Sequence, residues 1–399
     1  MNIKQAVILA GGRGTRLRPI TDKIPKPMVE FHGKPFLEYL IDDLKSEGLE
    51  EVVLLTGYLS NKIQDYFGDG SEFGLKIKYS VGDLDWDTGK RVKEAEHLLE
   101  DKFLLMYGDN SWPLDMKELS AFYKDKNKNN NTLMSVTVFS NKRNSTKNNM
   151  LINDEGLVTI YDKKRETPNL SGVDIGFFIV DKSVVKDMST DNVSLQETLL
   201  KLVEEKKLAG YLTNHKYYSV GDIQRLPITE KYLNPNRKII FLDRDGVINK
   251  KAPKSDYVKN WTEFEFLLGT IDSMKKLKER GYEMYIVSNQ AGIARMKMSE
   301  SDVEDIHNKM RFVLKENNAD VNGIYYCPHG WDDGCECRKP KPGMFFNAAE
   351  DNQFNLYKTI FVGDDERDKV AGDAANIKTI LVSPEVGLAQ AMDEILKNE

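Results

Sequence analysis

Short apolar runs of four to six residues recur along the chain, each closed by a glycine or an acidic turn. They alternate with longer stretches that carry a helical apolar pattern. The runs read as buried strands and the stretches as amphipathic helices. Gln5–Leu9, Val52–Thr56 and Phe103–Tyr107 are strand-like, and Pro35–Glu47 is helical between the first two. A second series begins at Lys238–Leu242, passes through a helix near Thr270–Arg280 and a strand at Glu283–Ser288, and reaches a strand at Thr359–Val362. Such alternation predicts α/β architecture with largely parallel sheets. Between the two series, Tyr232-Leu233-Asn234-Pro235-Asn236-Arg237 breaks a helical pattern. We therefore expect a domain at 1–232, a linker at 233–237 and a second domain at 238–399. The polar stretches Lys124–Asn131 and Asn141–Asn149 read as surface loops.

Length agrees with this division, because 399 residues exceed one ordinary core. The formal net charge of -6 gives no electrostatic case for nucleic acid or an anionic membrane surface. No apolar stretch approaches the roughly 20 residues that span a bilayer. The opening run Ala6–Ala10 is shorter than a secretory core of about 7 residues or more. It reads as a buried strand, and the expected compartment is the cytoplasm.

Candidate chemistry gathers at the predicted strand ends. Asp243 and Asp245 follow Phe241-Leu242, and open α/β folds place their reactive groups at such an edge. One carboxylate can attack phosphorus, and the other can protonate the leaving oxygen and later activate water. Ser288 and Asn289 end the next strand with groups suited to phosphate oxygens. Arg338 and Lys339 add positive charge, and Asp364 opens a third acidic cluster. Nucleophile, acid/base, metal ligand and compensating cation are the parts a phosphoryl transition state needs.

The three cysteines, Cys327, Cys335 and Cys337, lie within eleven residues beside His329. An odd count so crowded argues against disulfides. Three thiolates and an imidazole form the closed tetrahedral set of a structural zinc site. Its expected work is to fold the loop that places Arg338 and Lys339 over a substrate.

These motifs resemble the haloacid dehalogenase superfamily. The resemblance implies a doubly wound parallel sheet, Asp243 as nucleophile, Asp245 as acid/base, Ser288 for phosphate and Lys339 to balance charge. It further implies magnesium held by Asp243, Asp364 and the Asp245 backbone carbonyl. Within the superfamily, residues 243–249, 288–295 and 337–344 are most similar to the heptose 1,7-bisphosphate 7-phosphatases, and next to the histidinol-phosphate phosphatases. Asp365 departs from the basic residue expected there.

At the other end, Gly11-Gly12-Arg13-Gly14-Thr15-Arg16 follows the first strand, with Lys26 in a Pro-Lys-Pro turn. Glycines let backbone N–H groups approach a triphosphate, and the arginines can neutralise departing pyrophosphate. This pattern resembles the sugar-1-phosphate nucleotidyltransferases, which implies a Rossmann-like domain with a mixed, mostly parallel sheet. Arg16 and Lys26 would stabilise phosphates, Asp109 would hold magnesium, and Lys163 would contact the sugar phosphate. Gly57 and the Asp87-Thr88-Gly89 turn are candidates for the nucleoside and sugar sides. The family usually has a second metal-binding aspartate in an Asp-x-Gly pattern near the domain end. Here Ser219 takes that place, which leaves Asp109 with the nucleotide phosphates, or Asp222, to hold the ion.

Together the resemblances imply a bifunctional enzyme of small molecules. The phosphatase would remove the 7-phosphate of a heptose 1,7-bisphosphate, and the first domain would transfer a nucleotide, GMP from GTP, to the heptose 1-phosphate. The alternatives are a cytidylyl- or thymidylyltransferase on another sugar phosphate, a first domain that only binds nucleotide-sugar, and a histidinol-phosphate phosphatase.

Overall fold

In the computed structural model, which describes residues 2–253 and 256–397, neighbouring residues of strand β1 (Gln5–Leu9) enter different cores. Ala6 and Ile8 pack on one side of the sheet, and Val7 packs on the other. Both faces of the strand are covered, so the run is apolar without alternation. The same holds for β2 (Glu51–Thr56) and β4 (Lys102–Tyr107).

The chain forms two compact units that part between Leu233 and Asn234. In the first, seven strands run in the order β7-β5-β6-β4-β1-β2-β3, with β3 Lys76–Val81, β5 Met134–Phe139, β6 Val173–Asp181 and β7 Leu208–Thr213. β1 is parallel to β2 and β4, whereas β6 runs antiparallel to both neighbours. The glycine loop therefore leaves the sheet next to the turns after β2 and β4. Helix α1 (Phe36–Ser46) turns Phe36, Leu37, Leu40, Ile41 and Leu44 inward, the spacing expected of a face buried against a sheet. Asp87 caps helix α2 (Thr88–Glu94) by accepting the Thr88 N–H at 2.7 Å.

In the second unit, all five strands are parallel, in the order β10-β9-β8-β11-β12. They are β8 (Lys238–Leu242), β9 (Tyr282–Asn289), β10 (Gly323–Cys327), β11 (Thr359–Gly363) and β12 (Lys378–Leu381). Ile240, Leu242, Met284, Ile286 and Val362 enter one core, and Phe241, Tyr285, Val287 and Phe361 enter the other. Helices α3 (Thr270–Glu279), α4 (Glu300–Glu316), α5 (Gly343–Asn352) and α6 (Glu366–Asp373) flank the sheet.

Two expectations need correction. Lys124–Asn131 is not a loop: it falls almost wholly within the helix Met116–Asn130. That helix buries only Met116, Leu119 and Tyr123, none of them beyond its midpoint. Its last turns are polar on every side, which hides the period. The segment 141–149 has no regular structure but is not merely superficial, because Asn141 and Asn149 are buried. The Asn141 side chain donates to the Thr146 carbonyl at 2.7 Å and to Asn148 at 2.6 Å, so side chains replace the missing ladder.

Candidate active sites

The parallel strands of the second unit bring four motif segments to one edge, around a cavity of about 630 Å³. Asp243 leaves β8, Ser288 ends β9, Asp364 follows β11, and Lys339 comes from the long loop after β10. The Lys339 ammonium lies 3.0 Å from Asp243 Oδ1 and 2.7 Å from Asp368 Oδ1. It also donates to the Val287 carbonyl at 3.0 Å. Burial pushes the Asp243 carboxyl up to about 7, although Lys339 beside it pulls the other way. Burial works against the Lys339 charge too, but the two carboxylates hold its ammonium above the usual lysine value. The Asp243 partners both fall on Oδ1, since the Arg244 backbone N–H donates there at 2.7 Å. Among the described residues no hydrogen bond or ion pair falls on Oδ2.

Asp245 has a different environment. Arg244 Nη2 lies 3.0 and 2.9 Å from its two oxygens, with Asn249 Nδ2 at 2.9 Å and Gln290 Nε2 at 3.0 Å. Burial alone would raise this carboxyl; the Arg244 charge and the amide donors hold it below the usual range. Arg244 is fully buried, and its Nη1 sits 3.3 Å from His307 Nε2. Burial drops His307 to about 3, so the imidazole is neutral there and no second charge opposes the arginine.

Ligand atoms of Asp243, Asp364 and Asp368 fall within 4.8 Å of one another. The Asp364 side chain is 1% exposed, neither oxygen has a hydrogen bond, and Lys251 is its ion-pair partner. A buried carboxylate so short of donors fits a cation. The Asp245 side chain stands outside this group. Asp368, which the sequence reading left without a role, stands inside it and also accepts the Asp364 and Asp365 N–H groups at 3.1 and 3.2 Å. Its signal was the capping box Asp365-x-x-Asp368 that starts α6.

Cys327, His329, Cys335 and Cys337 converge within the same 4.8 Å limit. Cys327 Sγ lies 3.7 Å from Cys335 Sγ and 3.5 Å from His329 Nδ1, and Cys337 Sγ lies 3.3 Å from His329 Nδ1. Bonds of about 2.3 Å to sulfur and 2.0 Å to nitrogen give tetrahedral edges of roughly 3.5–3.8 Å. The four groups thus fit a small tetrahedral ion. Cys337 hydrogen-bonds to Cys327 and brings that thiol down to about 5, while Cys337 itself is pushed up. Arg338 donates to the His329 carbonyl at 3.2 Å and lies over the Trp331 ring, 4.8 Å from its centroid. Asn289 spends its amide on the Lys339 backbone, at 2.9 and 3.0 Å, so it fixes the lysine's loop.

The first unit carries a cavity of about 610 Å³, lined by Gly11, Gly12, Arg16, Lys26, Asp87, Thr88, Asp109 and Lys163 among others. Lys26 and Asp109 form an ion pair there. Arg13 pairs instead with Asp85 at 3.0 Å, and it lies outside the cavity lining together with Gly14 and Thr15. Gly57 backs onto the buried Arg91. Asp222 also stands outside the lining, where it caps a short turn and pairs with Arg225 at 3.2 Å. Ser219 and Arg225 do line the cavity. Asn149, Tyr161 and Asp174 line it too, from segments with no motif. The Tyr161 hydroxyl donates to Asp174 at 3.2 Å, and burial raises Asp174 to about 6.

Residues 5–234 match the nucleotidyl transferase family model, and residues 238–381 match that of polynucleotide kinase 3 phosphatase. A D-glycero-β-D-manno-heptose-1,7-bisphosphate 7-phosphatase of Pseudomonas putida is 39% identical over 145 residues, which cover 36% of this chain and 82% of that protein. A putative glucose-1-phosphate thymidylyltransferase from Bacillus anthracis has the fold of the first unit. It is 19% identical with a TM-score of 0.51, and the match covers 57% of this chain and 93% of that one. HddC from Yersinia pseudotuberculosis is 24% identical with a TM-score of 0.48, covering 57% and 99%. No helix among the described residues is long and apolar enough to cross a membrane.

Proposed function

The chain belongs to the nucleotidyl transferase family, and its second half to that of the heptose-1,7-bisphosphate 7-phosphatases; from this premise we propose that one bifunctional enzyme makes a GDP-heptose in two steps. The second unit removes the 7-phosphate of D-glycero-D-manno-heptose 1,7-bisphosphate, and the first transfers GMP from GTP to the heptose 1-phosphate. The observation that carries this reading is chemical continuity on one chain: removing one phosphate from a sugar bisphosphate leaves the sugar 1-phosphate that a nucleotidyltransferase consumes.

In the phosphatase step Asp243 Oδ2 attacks phosphorus, and the bond from phosphorus to the C7 oxygen breaks. Asp245 gives a proton to that oxygen. Water then attacks the aspartyl phosphate while Asp245 takes its proton back, and inorganic phosphate leaves. Burial raises the Asp243 carboxyl, while the Arg244 charge and the amide donors hold that of Asp245 down. Ser288, buried beside Gln290 at 2.8 Å, and Lys339 take the phosphate oxygens. Magnesium held by Asp243, Asp364 and the Asp245 carbonyl would supply charge neutralisation at phosphorus. Zinc on Cys327, His329, Cys335 and Cys337 would hold the loop that ends in Lys339.

In the transfer step an oxygen of the sugar 1-phosphate attacks the α-phosphorus of GTP, and pyrophosphate leaves. Arg16 and Lys26 balance the growing charge, with Asp109 as the metal carboxylate and Lys163 on the sugar phosphate. Ser219, in place of a second carboxylate, supports a second reading in which this unit only binds nucleotide-sugar.

The test is a coupled assay with the heptose bisphosphate, magnesium and each nucleoside triphosphate in turn. Phosphate followed by pyrophosphate with GTP alone is the expected result. Phosphate without pyrophosphate under every nucleotide would leave the binding reading in place. Release of phosphate only from histidinol phosphate would overturn the sugar assignment.

A further inference from the structure

Arg91 is 5% exposed in helix α2, yet it stands on the wall of the nucleotide cavity. Among the described residues no carboxylate pairs with it. Its guanidinium donates instead to three carbonyls: Thr56 at 2.8 Å, Asp83 at 2.7 Å and Trp86 at 3.1 Å. Those carbonyls sit at the end of β2 and in the loop after β3. The loops close on it so tightly that a Cβ on Gly11 would lie 2.5 Å from Nη1, and one on Gly57 would lie 2.7 Å away. Glycine at both positions lets the guanidinium lie against the backbone of the phosphate loop and its neighbour.

Asp83 and Asp87 act on its charge without touching it, and a buried cation with no carboxylate in contact is costly, where an apolar side chain would fill the same gap at less cost. Burial pushes even this guanidinium down. The three carbonyls use three of its five N–H bonds, which leaves two on the terminal nitrogens, in a fork fixed by the surrounding loops. Two such donors match two acceptors side by side on one edge. Guanine offers that pair in O6 and N7. Adenine sets a donor beside N7, and uracil and thymine set N3–H beside each carbonyl; cytosine alone among the pyrimidines offers such a pair, in N3 and O2. Half-buried Trp86, on the same wall, adds an aromatic face on which a purine can stack.

We propose that Arg91 is the residue that selects the nucleobase, reading guanine through O6 and N7. This rests on the transferase reading and supplies its base specificity.

The test compares pyrophosphate release by the full chain with GTP, inosine triphosphate, 7-deaza-GTP and ATP. Inosine triphosphate keeps both acceptors and should match GTP in kcat/KM. 7-deaza-GTP lacks N7 and should fall about tenfold, because a bidentate arginine contact discriminates by roughly 1–3 kcal/mol. In Arg91→Gln the GTP-over-ATP ratio should collapse about 10- to 100-fold and the 7-deaza penalty should vanish. These are ratios within one protein, so partial loss of folded enzyme does not alter them. Should the variant fail to fold, the wild-type comparison of GTP with 7-deaza-GTP decides. Equal use of those two nucleotides, or an unchanged GTP preference in Arg91→Gln, overturns the proposal while the transferase reading stands. If no nucleotide yields pyrophosphate, the transferase reading falls, and calorimetric binding of the same four nucleotides carries the same comparison for Arg91.

Discussion

Arg225 Nη1 donates to Ser219 Oγ at 2.9 Å, directly beside Asp109. Ser219 pairs with Asn110 across a two-residue ladder, and the Val220 N–H binds the Asp109 carbonyl at 3.0 Å. A guanidinium therefore stands where a second carboxylate was expected, and Asp222 is turned to capping. With Arg16 and Lys26 it makes the phosphate end of the cavity more cationic than a two-carboxylate site. Arg225→Ala should raise the KM for the nucleotide about tenfold, the worth of one hydrogen bond to a charged group. Ser219→Ala, which removes only the anchor, should cost a few-fold. Steady-state pyrophosphate release checks both, and an unchanged KM in Arg225→Ala would leave the arginine structural.

The two sites use separate residues, so their losses should separate. Asp243→Asn should abolish phosphate release and spare nucleotide transfer from added heptose 1-phosphate. Arg16→Ala should do the reverse. Parallel assays of phosphate and pyrophosphate on the same preparations are the check.

Asp368 pairs with Lys339 and accepts the Asp364 and Asp365 N–H groups at the start of α6. Removing it leaves a buried ammonium with Asp243 as its remaining carboxylate partner and also breaks a helix cap. Asp368→Ala should lower kcat at least tenfold with a smaller change in KM, and should destabilise the unit by about 3 kcal/mol or more. Phosphatase kinetics and denaturant unfolding report the two effects.

Cys335→Ser, or prolonged chelation, should release one equivalent of zinc and lower the thermal midpoint of the phosphatase unit. Phosphatase activity should fall because Arg338 and Lys339 lose their loop, although no thiolate touches phosphorus. Metal analysis with calorimetry tests this, and full stability without zinc would contradict it.

His215 gives a pH dependence with a definite sign. Burial lowers it to about 3, so the folded state keeps it neutral while the unfolded chain protonates it near its ordinary value. The unfolded state then binds more protons, and stability falls as pH drops below about 6.5, by up to about 1.4 kcal/mol per unit. His215→Gln should flatten that slope for the first unit between pH 7.5 and 5.5 in urea titrations.

Much of this was legible in the residues themselves. Lys238–Leu242 is a strand at the expected bounds, and the strand ends that carry Asp243, Ser288 and Asp364 meet where parallel strands must bring them. The Cys327–Cys337 cluster closes within a single loop, so its spacing was nearly its geometry. The polar end of the helix Met116–Asn130 was lost because it presents no apolar period.

By itself the sequence determined the candidate groups and their order, because each motif is contiguous and a strand end fixes where its next residues go. Tertiary structure alone decided which groups face one another. Arg91 meets the Thr56 carbonyl 35 residues away, and Gln290 reaches Asp245 across 45. Asp174 reaches its cavity from the start of an antiparallel strand. Such pairings depend on sheet order and on packing in a dense core, where a side chain's neighbours are set by the whole fold and not by the residues beside it in the chain.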